Sequence, residues 1–485
     1  MIQISNLETY EAKDIPELLS LVEPVLTKRK KLHEKYSRGA NETTLMFNVG
    51  VDKTKVPFEK FITDLATGYL AGKPKYSVSD TDNKEKQQIL NKLLDKKLKD
   101  QDYKESMEIM IDYITSYNDD FTENYELIHD LLEMTACYEI LYENENNEIV
   151  YSKYDPMQTV ATWDYDIPAN LTGIIRVWEE KGLKDTTIKK VELTDKKGSR
   201  TYSINGKTIK EEDRKNHNWG DVPGFAIETD YSIFESAEDV MSAYEQLVQN
   251  IRNTYQYNDT DAKLKIVGYS PENPMTTIDE NGNVVQNQAR IVEDNMLLKS
   301  KTLYISEGGD ASWILKNQDA NGSLSVLKAY IDLMFQLCGV PNTSDLAFNS
   351  ADLNASAIDR KFYIMNMATQ YIVSALKKAY LRRFELIIGR INLKKSTNYD
   401  FRDIEIEIPK NLPNNNDERI DSLLKLQNIL SEQTIIEELG YNYTSEKNKK
   451  DDEATSNMML NMERVSSLGE NQIMKQYDES EDIEE

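Results

Sequence analysis

Cysteine and histidine are nearly absent: 485 residues hold two cysteines and three histidines. His33, His129, His217, Cys137 and Cys338 form no C-x-x-C or H-x-x-x-H spacing, which removes the usual sequence signatures of structural zinc and redox sites. Both cysteines fall in apolar stretches read as helical and are expected as reduced core thiols. Positive charge is short as well, with 58 Lys+Arg against 84 Asp+Glu and a net charge of −26. Such a surface repels duplex DNA and anionic membrane at long range. No apolar run reaches the roughly 18 residues of a membrane span. The first residues, MIQISNLETYEAKD, lack the basic start and apolar stretch of a signal peptide. The expectation is a soluble protein, cytoplasmic when made.

Catalytic motifs are missing too. There is no G-x-x-x-x-G-K-[ST], no G-x-G-x-x-G and no G-x-S-x-G. The pairs Asp80/Asp82, Asp164/Asp166 and Asp259/Asp261 have the chemistry of two-metal nuclease ligands, yet they sit at turns, where aspartate serves the backbone. No catalytic residue, no metal ligand and no cofactor is therefore assigned, and the chain is read as a non-enzyme. A metal-dependent DNA-processing enzyme using one of those pairs is the alternative.

What the sequence does contain is periodicity, in a chain long enough for roughly two to four domains. The central stretch runs from Ser323 to Asn392. SLSVLKAYIDLMFQLC places Leu324, Leu327, Ile331, Met334, Phe335 and Cys338 at helical spacing, with Ser323 as N-cap and Gly339 and Pro341 as the stop. A small polar loop, 342–355, follows, with Asp345 and Asp352 as its only charges. Ser356 and Asp359 then open a helix whose stripe is Ile358, Phe362, Met365, Thr369, Ile372, Leu376, Tyr380, Phe384, Ile387 and Ile391. Lys377, Lys378, Arg382, Arg383 and Arg390 crowd its later turns, where helix-dipole compensation and salt bridges between subunits account for them, with phosphate binding as the sharper alternative.

Upstream, helices are expected over 14–38, with Pro24 inside, and from Pro57 to the stop at Gly72 and Pro74, with Phe58, Phe61, Ile62, Leu65 and Tyr69 as its stripe. Further helices are expected over 84–99 and 121–137. A hairpin turns at Asn146-Asn147, and an antiparallel sheet covers 171–209 with Asn205-Gly206 as a type I′ turn. A helix over 236–257 precedes a second β-rich segment with strands AKLKIVGYS, ARIVE and KSKTLYIS. Strand DIEIEIP comes late, then a helix over 417–430, a helix TIIEELG capped by Thr434, and a tail ending DESEDIEE expected to be disordered.

Several of these stretches together resemble the portal proteins of tailed bacteriophages, the type found in phages of Gram-positive hosts. FEKFITDLATGYLAGKPKY, at 58–76, resembles that family's helix ending in G-Y-L-x-G-K-P. The hairpin at 139–156 followed by Asp-Pro, the segment HNWGDVPGF, Gly308-Gly309-Asp310, the C-G-V-P at 338–341 and LSEQTIIEELG follow in the family's order over 15–440. The polar loop has fewer glycines than the family pattern, and the tail matches nothing.

The resemblance implies an α+β subunit, mainly α, assembled as a homo-oligomeric ring of about twelve copies. Residues 1–235 would be the wing, 236–260 and 314–341 the two stem helices, and 261–313 the β-rich clip. Residues 342–355 would be the tunnel loop, 356–410 the long wing helix and strand, and 411–485 the crown and acidic tail. The loop's Asn342, Thr343, Ser344, Asp345, Asn349, Ser350, Asp352 and Asn354 would line the DNA channel. Implied partners are double-stranded DNA, the packaging terminase, the major capsid or scaffolding protein and a head-completion adaptor, with no membrane. The place implied is the capsid vertex of a virion, after assembly in host cytoplasm. Another capsid or tail structural protein is the remaining alternative.

Overall fold

The computed structural model describes residues 2–41, 55–78, 101–181, 187–206, 208–260, 263–267, 272–279, 282–299, 310–314, 320–342 and 355–411, with short pieces at 425–426, 430–438, 446–447 and 449–450. The expected helices at 84–99 and 417–430, the strand KSKTLYIS, and the acidic tail lie wholly or mostly outside these residues. The chain divides into two compact units. The first comprises Met1–Asn349 and Lys361–Asn411, the second Ser350–Arg360 and Leu412–Glu485.

The first unit mixes helices and sheets. Its largest sheet has six strands: β1 (Ile2–Gln3), β5 (Thr159–Trp163), β6 (Leu171–Lys181), β7 (Thr187–Thr194), β8 (Gly198–Asn205) and β9 (Thr208–Asn216), in that spatial order. Every neighbouring pair is antiparallel except β1 and β5. Alternate residues point to one face, so Ile175, Val177, Val191, Leu193 and Tyr202 share a side, as the period of two requires. Helix α1 (Ile15–Asn41) covers that side with Ile15, Leu18, Val22 and Leu26, one helical stripe. Pro24 lies in this helix on its exposed side, so the backbone donor it lacks is lost away from the core.

A second core gathers β2 (Lys75–Val78), α3 (Gln101–Tyr117), β4 (Ile149–Tyr154), α8 (Ala355–Lys395) and β15 (Ile404–Glu407). Strands β10 (Gly224–Glu228), β3 (Ala136–Glu143) and β4 form a three-stranded sheet, on which α4 (Asp120–Met134) packs. Helix α2 (Phe58–Leu70) lies against α4 and α1. Strand β2 pairs with β15, and Gly72 explains why they can meet: a Cβ there would stand 1.9 Å from the carbonyl oxygen of Pro409.

Helix α5 (Glu238–Thr260) and α7 (Ala320–Cys338) pack along each other and bracket the segment between them. That segment holds β11 (Lys263–Val267) paired with β14 (Asp310–Ile314), a small hairpin of β12 (Thr276–Ile278) and β13 (Val284–Gln286), and helix α6 (Gln288–Lys299).

Several local expectations are corrected here. ARIVE is helical: the Asn287 side chain accepts from the Ala289 N–H, and Arg290 pairs with Asp294 one turn on. Cys137 is buried in strand β3, because the αL residue Thr135 ends α4 before it. In the β8–β9 hairpin Asn205 pairs with Thr208, so the two-residue turn starts at Gly206 and not at Asn205. Helix α7 begins at Ala320, before Ser323. In the second unit, Ser431 and not Thr434 caps α9 (Glu432–Glu438), accepting from the Thr434 N–H at 3.2 Å. The stripe of α2 is also displaced: Phe61 is exposed, and Thr63 and Thr67 are buried by bonding to carbonyls one turn back.

Candidate functional site

The polar loop is entered through a helix stop built from backbone bonds. Gly339 takes φ +66°, which favours glycine, and its N–H donates to Gln336 O at 3.2 Å while the Val340 N–H donates to Phe335 O at 3.0 Å. This pair of bonds is the Schellman arrangement and satisfies the last carbonyls of α7. A Cβ at Gly339 would also lie 2.8 Å from the Cβ of Ala368, so α7 ends hard against α8. Cys338 and Val340 are buried around it, and the Ser236 hydroxyl donates to Leu337 O at 3.0 Å. Burial pushes the Cys338 thiol up to about 12, so it stays protonated and unreactive.

Of the eight residues assigned to the channel, the structure places Asn342, whose side-chain amide donates to Asp332 Oδ1 at 3.0 Å. Thr343, Ser344, Asp345, Asn349, Ser350, Asp352 and Asn354 lie outside the described residues. What the structure shows is therefore the fixed threshold of the loop.

Beyond the loop, α8 divides its surface as its spacing predicts. Phe362, Met365, Thr369, Leu376, Tyr380, Phe384 and Ile387 are buried, while Tyr363, Ile364, Met367 and Tyr371 are each about 60 % exposed or more. The basic residues of its later turns are mostly spoken for inside the chain. Arg382 pairs with Asp221 at 2.6 Å and with Glu385 at 2.7 Å, and Arg390 forms a fork with Glu143 at 2.6 and 3.1 Å. Arg383 is fully buried between Asp120 and Glu139. The expected inter-subunit bridges are thus intramolecular ones for these three arginines. Lys377 and Lys378 are exposed.

The remaining chemistry-bearing side chains do structural work. The Asp164 carboxylate accepts from the backbone N–H of Asp166 and from the backbone and side chain of Asn170, closing its own turn. Asp80, Asp82 and Asp261 lie outside the described residues. His217 contacts Asp195 O at 2.7 Å, and burial holds its pKa down. His33 and His129 both reach Glu133. Among the described residues no group of three or more His, Cys, Asp and Glu is placed to hold a metal ion. None of the described helices is long and apolar enough to cross a membrane.

Sequence reading missed the polar face of α4. Asp120, Glu123, Asp130 and Glu133 recur at helical spacing and point inward, a pattern that reads as solvated face until the partners are known. The charges answering Asp120 and Asp130, Arg383 and Lys153, come from α8 and β4.

Comparison with known proteins gives one family. The profile described as phage portal protein, SPP1 Gp6-like, matches residues 49–458. No curated protein matches the chain. Among solved structures, a chain of the neck of a native GTA particle, computed with C12 symmetry, is similar at 11 % identity and a TM-score of 0.38, covering 85 % of this chain and 93 % of that one.

Proposed function

This chain belongs to the SPP1 Gp6-like phage portal proteins, and we propose that it builds a ring around a DNA channel at one vertex of the capsid. The observation that carries the reading is the family match, which runs through most of the chain, including both helices that flank the polar loop. A portal is a structural part of the virion rather than an enzyme. Its partners in this reading are further copies of itself, the packaging terminase, the capsid or scaffolding protein and a head-completion adaptor.

The exposed apolar face of α8 supports assembly. Tyr363, Ile364, Met367 and Tyr371 project away from the helix's buried stripe, and Val326, Leu333 and Leu337 do the same on α7; Leu324, expected at the start of the α7 stripe, is exposed as well. A second copy of the chain would cover them, as in a cyclic assembly. The acidic balance fits a channel: with a net charge of −26, lasting contacts to phosphate are few, and each missing cation leaves fewer counterions to release.

In this arrangement Asn342, Thr343, Ser344, Asp345, Asn349, Ser350, Asp352 and Asn354 face the duplex, with neutral amides and hydroxyls meeting phosphate and the two aspartates repelling it. Electron microscopy of the purified chain tests the assembly: annular particles with a central hole are expected, and a 56 kDa monomer at every concentration and salt would overturn the ring. Packaging by particles carrying Asp345→Lys and Asp352→Lys tests the channel, with slowed or stalled entry expected from the added phosphate contacts. A normal packaging rate in that double variant removes the loop from the channel.

A further inference from the structure

Helices α1, α2 and α4 meet at a cluster of ionisable side chains that a channel has no use for. His33 Nδ1 on α1 stands 2.6 Å from Glu133 Oε1 on α4. His129, one turn before Glu133, places Nδ1 3.4 Å from the other oxygen, Oε2, and Nε2 3.1 Å from the Tyr36 hydroxyl and 3.6 Å from Asp64. Glu133 itself is 1 % exposed.

The charges around this carboxylate do not close without a proton. Lys60 on α2 is engaged with Asp64 at 2.9 Å and with the Tyr36 hydroxyl. Lys153 on β4 is engaged with Asp130 and Glu126, at 3.1 Å each. Arg29, one turn before His33 on α1, is turned to Glu228 and to the carbonyls of Pro156 and Thr159. On β3, Cys137 is buried and Glu139 is answered by Arg383. Glu123, earlier on α4, lies toward Glu139 and Arg383. Both lysines and both arginines are thus committed to other carboxylates, and two imidazoles are what Glu133 faces. With both neutral it is a buried anion with no countercharge among the described residues; one proton on the cluster restores the balance.

We propose that this junction is a proton-held latch, in which a proton held by His129 and Glu133, with His33 bonded to the same carboxylate, keeps α1 and α2 closed on α4 and its loss as pH rises releases them. Titration runs in the same direction. Burial pushes His129 down, but its bond to Asp130 and the charges of Glu133, Asp130 and Asp64 outweigh that and raise it. Burial raises Glu133 against the pull of the two histidines. Both groups therefore hold protons more tightly folded than unfolded. The part carried by His129 is complete below the ordinary histidine value and the part carried by Glu133 below the ordinary carboxylate value, and each is lost as pH rises through that group's raised value.

Hydrogen exchange of the full-length protein at pH 6, 7 and 8, normalised to intrinsic rates, tests this at residues 26–36 and 124–134. Opening of these two segments should increase by up to about tenfold per pH unit between the ordinary histidine value and the raised one and level off above it, while strands β6 and β7 stay unchanged. Glu133→Gln, neutral at every pH, should flatten the slope, leaving only what Asp130 and Asp64 contribute to His129. Should that variant not fold, His33→Gln with His129→Gln should show at pH 6 the opening that the natural protein shows at pH 8. Equal normalised protection of both helices at pH 6 and 8, or an unchanged slope in Glu133→Gln, overturns the latch.

Discussion

Arg383 and Glu139, 244 residues apart, form a fork in which Nε and Nη2 reach the two carboxylate oxygens at 2.8 and 2.5 Å with neither side chain exposed at all. The same guanidinium donates to Asp120 at 2.6 Å and to the Asn124 side chain at 2.8 Å, and it lies over the rings of Tyr151 and Tyr380. One cation thereby joins α8 to α4 and β3. Burial pushes Glu139 up while Arg383 pulls it back, so the pair depends on both partners staying in place.

Arg383→Met should remove about 3–5 kcal/mol of stability, because Asp120 and Glu139 are left as buried charges. Adding Asp120→Asn and Glu139→Gln to that variant should recover part of the loss. Urea unfolding of the three proteins checks this; equal midpoints for the single variant and the natural chain would show the network to be idle.

Gly72→Ala should cost about 1–3 kcal/mol, the scale of an overpacking change, since the new methyl collides with the Pro409 carbonyl and the β2–β15 pair must part. Thermal unfolding measures the cost. Exchange of the Asn411 N–H, which donates to Tyr69 O at 3.0 Å, should speed up with it.

Glu123 is raised to about 7, first by burial and then by the charge of Glu139. Its native form keeps a proton that the unfolded chain releases near the ordinary carboxylate value. Stability therefore falls as pH climbs from about 4.5 to about 7 and is level above that. Glu123→Gln should be the more stable protein at pH 8, by about 1–2 kcal/mol for a half-buried site, and should lose that margin at pH 4.5. Melting curves at the two pH values settle the sign.

Met367→Glu with Tyr371→Glu should leave the fold intact, both side chains being well over half exposed, and should weaken the ring through like charges repeated around it. Light scattering and circular dichroism together separate the two effects: smaller particles with an unchanged spectrum are the expected result.

The elements of the chain were legible wherever one physical rule governed a long window. The stripe of α8 from Phe362 to Ile387 follows from a period of 3.6, and the β6–β8 ladder from a period of two, so both were legible; β9, exposed along nearly its whole length, carries no such period and was not read. The stop at Gly339 and Pro341 was equally plain, because backbone geometry is local. What tertiary structure alone decided is which charges are solvated and which are buried. Arg382, Arg383 and Arg390 look like a basic patch in sequence and are three separate intramolecular clamps, since their partners come from distant strands and loops. Asp120, Glu123, Asp130 and Glu133 carry the same spacing a solvated face would have. Helical periodicity says that they share a side; only the packing of α4 on the sheet and on α1 says that the side faces inward. The pairing of His33 with Glu133 across 100 residues belongs to that second kind of information, because an ion pair is set by where two elements meet and leaves no period in either.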